Sequence, residues 1–219
     1  GTLSLSGLNT YTGGTRLAAG TLEVSQDANL GDASGALTFD GGSLRVLDSF
    51  SSTRDMTLTQ TGVLDVADGS TLTLSGQISG TGGLLLRGGT VTFDGAQENT
   101  WSGLTTVAEG ATLNLDRADA VQALGGDLRI DGGRVNANGA EQFSQHAEVL
   151  LQNSGVLHVA GDQQIAGLHG TNADSVIILD ADLTLSGSGN YYYGGRFEGE
   201  GDVFNPRTVS ITSGFHTFA

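Results

Sequence analysis

Cysteine and lysine are absent from this 219-residue chain, and proline occurs once. Without cysteine there is no disulfide framework, which argues against a small secreted eukaryotic domain. Without lysine no phosphate-cradling Gly-x-x-x-x-Gly-Lys-Ser/Thr loop can be written. Positive charge is scarce too: nine arginines face 24 acidic residues, a net charge of −15. Such a surface repels phosphate backbones and anionic headgroups, so neither nucleic acid nor a membrane surface is an expected partner. No apolar run is long enough to span a bilayer as a helix, and there is no signal-peptide pattern and no Asn-x-Ser/Thr sequon. The stretch reads as an internal piece of a longer protein.

Glycine is what the chain has in quantity, 36 of them. They follow no G-X-Y period, which excludes collagen, and regular Leu/Val/Ile alternation between them argues against disorder. The alternation has period two, as in Thr2-Leu3-Ser4-Leu5, Thr21-Leu22-Glu23-Val24, Thr71-Leu72-Thr73-Leu74 and Val156-Leu157-His158-Val159. Each run is short and is closed by Gly, Asn, Asp or Ser. Helix is confined to single turns at residues 117–124 and 142–147.

Matching runs recur at a fixed interval. Val91, Leu113, Val135, Leu157 and Leu179 are each 22 residues apart, and Leu22, Leu44, Leu64 and Leu84 step by 22, 20 and 20. A sandwich has no reason to keep such a step. A coil does, because each turn stacks its strands about 4.8 Å above their counterparts. The expected fold is therefore an all-β, single-stranded parallel β-helix of 20 to 22 residues per rung. About ten rungs would make a rod of roughly 45 to 50 Å.

If Leu22, Leu44 and Leu64 point inward, Glu23, Arg45 and Asp65 stack outward as a ladder of alternating charge. By the same step Asn114, Asn136, His158 and Asp180 form a second ladder. Both are expected to stabilise the sheet face. A His158/Asp180 acid-base or metal pair would need a third convergent group, and none is visible. Arg45 between two acids is the nearest thing to a lyase cluster, yet alternating signs are what plain stability also selects. There is no Gly-x-Ser-x-Gly elbow, no His-Glu-x-x-His and no calcium-binding Gly-Gly-x-Gly-x-Asp repeat. No cofactor or metal is expected, and the chain reads as non-enzymatic. Tyr191, Tyr192 and Tyr193 together offer an aromatic platform for a carbohydrate as a candidate interaction surface.

The opening residues carry a finer pattern: a strand, Ser6-Gly7, then Asn9-x-Tyr11-x-Gly13-Gly14, a strand, Gly20, and a strand through Leu22 and Val24. A degraded copy runs through Asn99, Trp101, Gly103, Ala108, Gly110 and Leu113, and a third through Ser186, Gly187, Asn190, Tyr192, Gly194 and Gly195. This pattern resembles the autotransporter-associated β-strand repeat of Gram-negative type V secretion passengers. The resemblance implies a right-handed coil. It also implies one passenger segment over residues 1–219, with repeat-like units near 1–46, 83–137 and 182–203. The implied place is the bacterial surface or the extracellular space, anchored or released at the outer membrane by the protein's own C-terminal β-barrel. The implied job is that of stalk, folding scaffold and adhesive surface toward a host cell-surface or matrix protein or glycan. The alternatives are a stem for an upstream catalytic domain and a polysaccharide-acting β-helix enzyme. The aromatic tail, Tyr191 to Phe204 and Phe215 to Phe218, would either cap one end of the coil or continue to a further rung.

Overall fold

The computed structural model describes residues 1–199 and 208–218. The short alternating runs are strands of three to five residues, stacked in parallel into a right-handed β-helix of about ten turns. One long face holds nine strands, beginning Thr2–Leu5, Thr21–Val24 and Ser43–Val46 and ending Glu148–Gln152 and Gly167–His169. A second face holds eight, from Phe50–Ser52 and Thr71–Leu74 to Val176–Leu179 and Arg196–Glu198. The third face is interrupted. Four strands from Thr15–Leu17 to Ile78–Gly80 form its first part and three, Gln163–Ile165, Leu183–Leu185 and Val209–Ile211, its last. Between them the wall is irregular backbone joined by one isolated bridge, Leu124 to Phe143.

Alternation drives the winding, because every second side chain must leave water. Val91, Leu113, Val135, Leu157 and Ile177 stack inside the coil and are buried, and one continuous apolar core runs through the turns. Where the third face is irregular, Trp101 fills the gap. It is fully buried and meets Phe93 edge-on at 5.8 Å between ring centres.

Two register expectations are corrected. Leu64 pairs with Leu86, while Leu84 pairs with Gly62, so that turn takes 22 residues. Leu157 pairs with Ile177 and Leu179 with Val159, so the turn after Val156–Val159 takes 20 residues and not 22. The residues expected to give single turns, 117–124 and 142–147, form isolated hydrogen-bonded turns, Val121 N–H to Ala118 O and Ala147 N–H to Ser144 O at 2.9 Å each. Among the described residues helix occurs instead as one short 3-10 segment, Asp27–Leu30.

The glycine pair in the opening insert is asymmetric. Gly14 has φ +76° and a Cβ there would lie 2.6 Å from Ala36 O, whereas Gly13 has open space around it. Only Gly14 needs to be glycine for its conformation. Tyr11 lays its ring on Gly31 and its hydroxyl bonds the Thr15 hydroxyl at 2.8 Å. At the other end, Asn190–Tyr193 pairs in parallel with Phe215–Phe218, which extends the stacking. Phe204 lies outside the described residues.

Candidate interaction surfaces

Strand pairing puts Glu23, Arg45 and Asp65 opposite one another on the long face. Arg45 Nε is 3.8 Å from Glu23 Oε1 and Arg45 Nη1 is 3.7 Å from Asp65 Oδ2. These are exposed pairs beyond hydrogen-bond length, worth at most about 1 kcal/mol. Arg45→Glu should therefore cost little, roughly 1 kcal/mol, and the loss should shrink in high salt as the three like charges are screened. Thermal melts at low and high ionic strength would check this; a salt-independent loss would point to packing by the arginine stem.

On the second face the outward row reads Thr92, Asn114, Asn136, His158 and Ile178. Asn136 Nδ2 donates to Asn114 Oδ1 at 2.8 Å, Asn114 Nδ2 to Thr92 Oγ1 at 3.3 Å, and Arg134 Nε to Asn136 Oδ1 at 2.7 Å. Asp180 is not on this row, since the 20-residue turn puts Ile178 beside His158. It lies just past its strand and still meets the imidazole, His158 Nε2 to Asp180 Oδ2, at 2.7 Å. Among the described residues no group of three or more His, Asp or Glu is placed to hold a metal ion.

The tyrosine triplet does not form one platform. Tyr191 is 8% exposed and Tyr193 1%, and only Tyr192, at 44%, turns its ring to solvent. Strand alternation dictates this, because consecutive residues face opposite ways. Tyr193 donates its hydroxyl to Ser175 O at 3.1 Å, and burial pushes its phenol upward. Tyr191 packs between His169 and His216, with ring centres 4.9 and 4.7 Å away. Burial pushes the His216 imidazole down, and the nearby His169 adds to that.

Sequence reasoning missed a run of buried polar side chains that supports the irregular corners of the coil. Arg54, 4% exposed, sends Nε and Nη2 to the Asp27 carboxylate at 2.9 and 3.1 Å, and further N–H groups to the carbonyls of Gly31 and Gly35. Arg117, also buried, reaches Gly76 O and Asn99 Oδ1, both at 2.8 Å. Burial pushes its guanidinium below the ordinary value, and Asp94 offsets part of that. Gln142 Oε1 accepts from Arg117 N at 3.0 Å, and Gln163 Oε1 accepts from Gln142 N at 2.8 Å. These groups satisfy backbone that a regular strand would have paired.

The repeat asparagines belong to the same device. Asn9 donates its side-chain amide to Asn29 O at 2.7 Å and its N–H to Ala28 O at 3.0 Å. Asn99 repeats both bonds, to Ala123 O at 2.9 Å and Gln122 O at 3.0 Å. Asn190, in the third copy, is exposed within a strand that pairs with Phe215–Phe218.

Several carboxylates are likewise bound into the coil. Asp127, Asp162 and Asp182 each accept the backbone N–H of a residue on the next turn: Glu148, Asp182 and Thr208, at 2.9 to 3.0 Å. Side-chain amides from Gln152 and Asn153 hold the Asp131 carboxyl below its usual range. Its stabilising contribution is complete above the unfolded value and is lost as pH falls through the lower folded value. Glu141 runs the other way: burial first, then Asp162, push its carboxyl up. The folded state thus favours protonated Glu141, a contribution present below the unfolded value and lost as pH rises through the folded one. Glu141→Gln is expected to raise the melting temperature at pH 7 by about 1–2 °C and to leave it unchanged near pH 4. Equal shifts at both pH values would remove charge as the cause.

These features define a parallel β-helix, and the likenesses that follow show that the chain belongs to the autotransporter passengers. The passenger-associated-transport-repeat family matches residues 1–24 and 88–115, the two copies in which asparagine plays the same structural part. Over 215 residues, 97% of this chain, the sequence is 38% identical to the adhesin BmaC autotransporter of Brucella suis biovar 1. The chain spans about 6% of that relative's length. No solved structure matches it at a significant level.

Proposed function

We propose that this chain is a non-catalytic length of passenger, displayed outside the outer membrane, which acts as a stiff stalk and as an adhesive surface toward host cell-surface or matrix molecules. The observation that carries the reading is the 38% identity, over nearly the whole chain, to a protein named as an adhesin. The rod suits display: its sheets close around a single core, and its acidic surface discourages self-association. Secretion would use the same stacking, each emerging turn finding its hydrogen-bond template in the turn already folded. The protein's own C-terminal β-barrel would provide the anchor.

The test is direct. The purified chain, fluorescently labelled, is applied to cultured epithelial cells and to surfaces coated with extracellular-matrix proteins, with a sequence-scrambled chain as control. Saturable binding supports the adhesive role. An inert, well-folded chain would overturn it and leave the stalk, or a stem for a catalytic domain elsewhere in the protein.

A further inference from the structure

On the long face, reaching its last strand at His169, a depression of about 330 Å³ is lined by Leu104, Asp127, Leu128, Arg129, Glu148, Leu150 and His169. That is within the range of small-ligand clefts. Thr106, Arg129, Leu150 and His169 follow one another along one outward row. Outward apolar residues elsewhere, such as Val63, Leu85 and Ile178, are half-buried, as Leu150 is here, but Leu104 beside it is 45% exposed. Most other exposed large apolar residues, such as Leu3, Leu8, Phe215 and Phe218, sit on the first or last turns, so Leu104 is unusual in the body of the rod.

Of the polar groups around this apolar floor, the two carboxylates accept hydrogen bonds from their neighbours, while Arg129 and His169 each keep an unpartnered nitrogen. Glu148 accepts from the Tyr191 hydroxyl through Oε1 at 3.4 Å, and His169 Nε2 lies 3.3 Å from its Oε2 without a hydrogen bond. Asp127 is fixed through Oδ1 by the Glu148 N–H. Arg129 Nε is buried from solvent and has no hydrogen-bond partner. Tyr191 can lie where it does because Gly167 has no side chain: a Cβ there would fall 2.0 Å from the ring.

We propose that this depression is a binding site for an uncharged saccharide unit. The two carboxylates accept hydrogen bonds from sugar hydroxyls, Arg129 donates to ring or hydroxyl oxygens, and Leu104 with Leu150 meets the apolar C–H face of the ring. The carboxylates disfavour an anionic ligand, and the arginine disfavours a purely cationic one. An extended peptide would need a free strand edge, whereas Arg129 and Leu150 lie on strands paired on both sides. The proposal gives the adhesive reading a ligand class and rests on that reading for its biological meaning, but its chemistry stands alone.

The experiment is saturation-transfer NMR on the intact chain with lactose, N-acetylglucosamine, methyl mannoside and methyl glucoside, repeated on Glu148→Gln and Arg129→Ala after circular dichroism has shown both to be folded. The expected result is transfer to the C–H protons of at least one sugar, with affinity reduced about tenfold in each variant, the loss of one charge-assisted hydrogen bond. No transfer from any sugar, transfer unaffected by either substitution, or binding only of a lysine-rich peptide would each overturn it. Cell or matrix binding by a chain that shows no transfer from any sugar would sink the saccharide site while leaving adhesion intact. Sugar binding by a chain that ignores cells and matrix would do the reverse.

Discussion

Replacing Arg54 by methionine should destabilise the coil by about 3–5 kcal/mol, the cost of breaking a buried ion pair from one side. The guanidinium is almost wholly enclosed and gathers the Asp27 carboxylate and the carbonyls of Gly31 and Gly35 into one fan. Methionine fills much of the space but donates nothing, so the carboxylate and the carbonyls lose their partner together. For a chain of this length the loss corresponds to roughly 6–20 °C in melting temperature. Arg54→Lys keeps the charge but not the planar fork, and should recover only part of it. The damage should begin locally, with faster amide exchange over the Asp27–Leu30 segment and the loop to Gly35 before the rest of the coil. A melting temperature within about 2 °C of the parent would show that water replaces the arginine at no cost, and would refute the assignment.

How much of this was legible in the sequence depends on which physical signal each feature leaves. Strand identity and the inward rows were readable because burial acts on every second residue. The two register errors have one cause. A shift of two residues leaves every side chain on its own face, so alternation cannot distinguish Ile177 from Leu179 as the partner of Leu157, or Leu84 from Leu86 as the partner of Leu64. Loop length decides, and it varies from turn to turn. The tyrosine platform was avoidable, since alternation itself separates Tyr192 from its neighbours. The buried corner groups left no periodic trace: Arg54 and Gln163 stand among polar turn residues, and Arg117 and Gln142 open the stretches expected to be single helical turns. Asn9 and Asn99 were visible as members of a repeated pattern, but their shared pair of hydrogen bonds required coordinates. The depression at Arg129 was equally hidden, because its lining comes from successive turns whose pairing had first to be fixed.

Gly80→Ala carries the other large expected effect, and its comparison with Gly69→Ala separates two reasons for keeping a glycine. Both residues have positive φ, +114° and +78°, so both substitutions strain the backbone, by about 1–3 kcal/mol. Around Gly69 there is open space, and strain is all that alanine adds. At Gly80 the new Cβ would lie 2.2 Å from Leu58 O, the carbonyl that accepts the N–H groups of Thr81 and Gly82 at 3.0 and 2.8 Å. Relieving the clash means lifting one turn off the other, which weakens both bonds at about 1 kcal/mol each. The total for Gly80→Ala should therefore reach about 3–5 kcal/mol against roughly 1–3 for Gly69→Ala. Because a stacked coil transmits stability only between neighbouring turns, calorimetry should show the transition broadening or splitting at this point instead of shifting as one. Equal losses for the two variants would mean that the close approach of the turns at Leu58 is not what requires glycine at position 80.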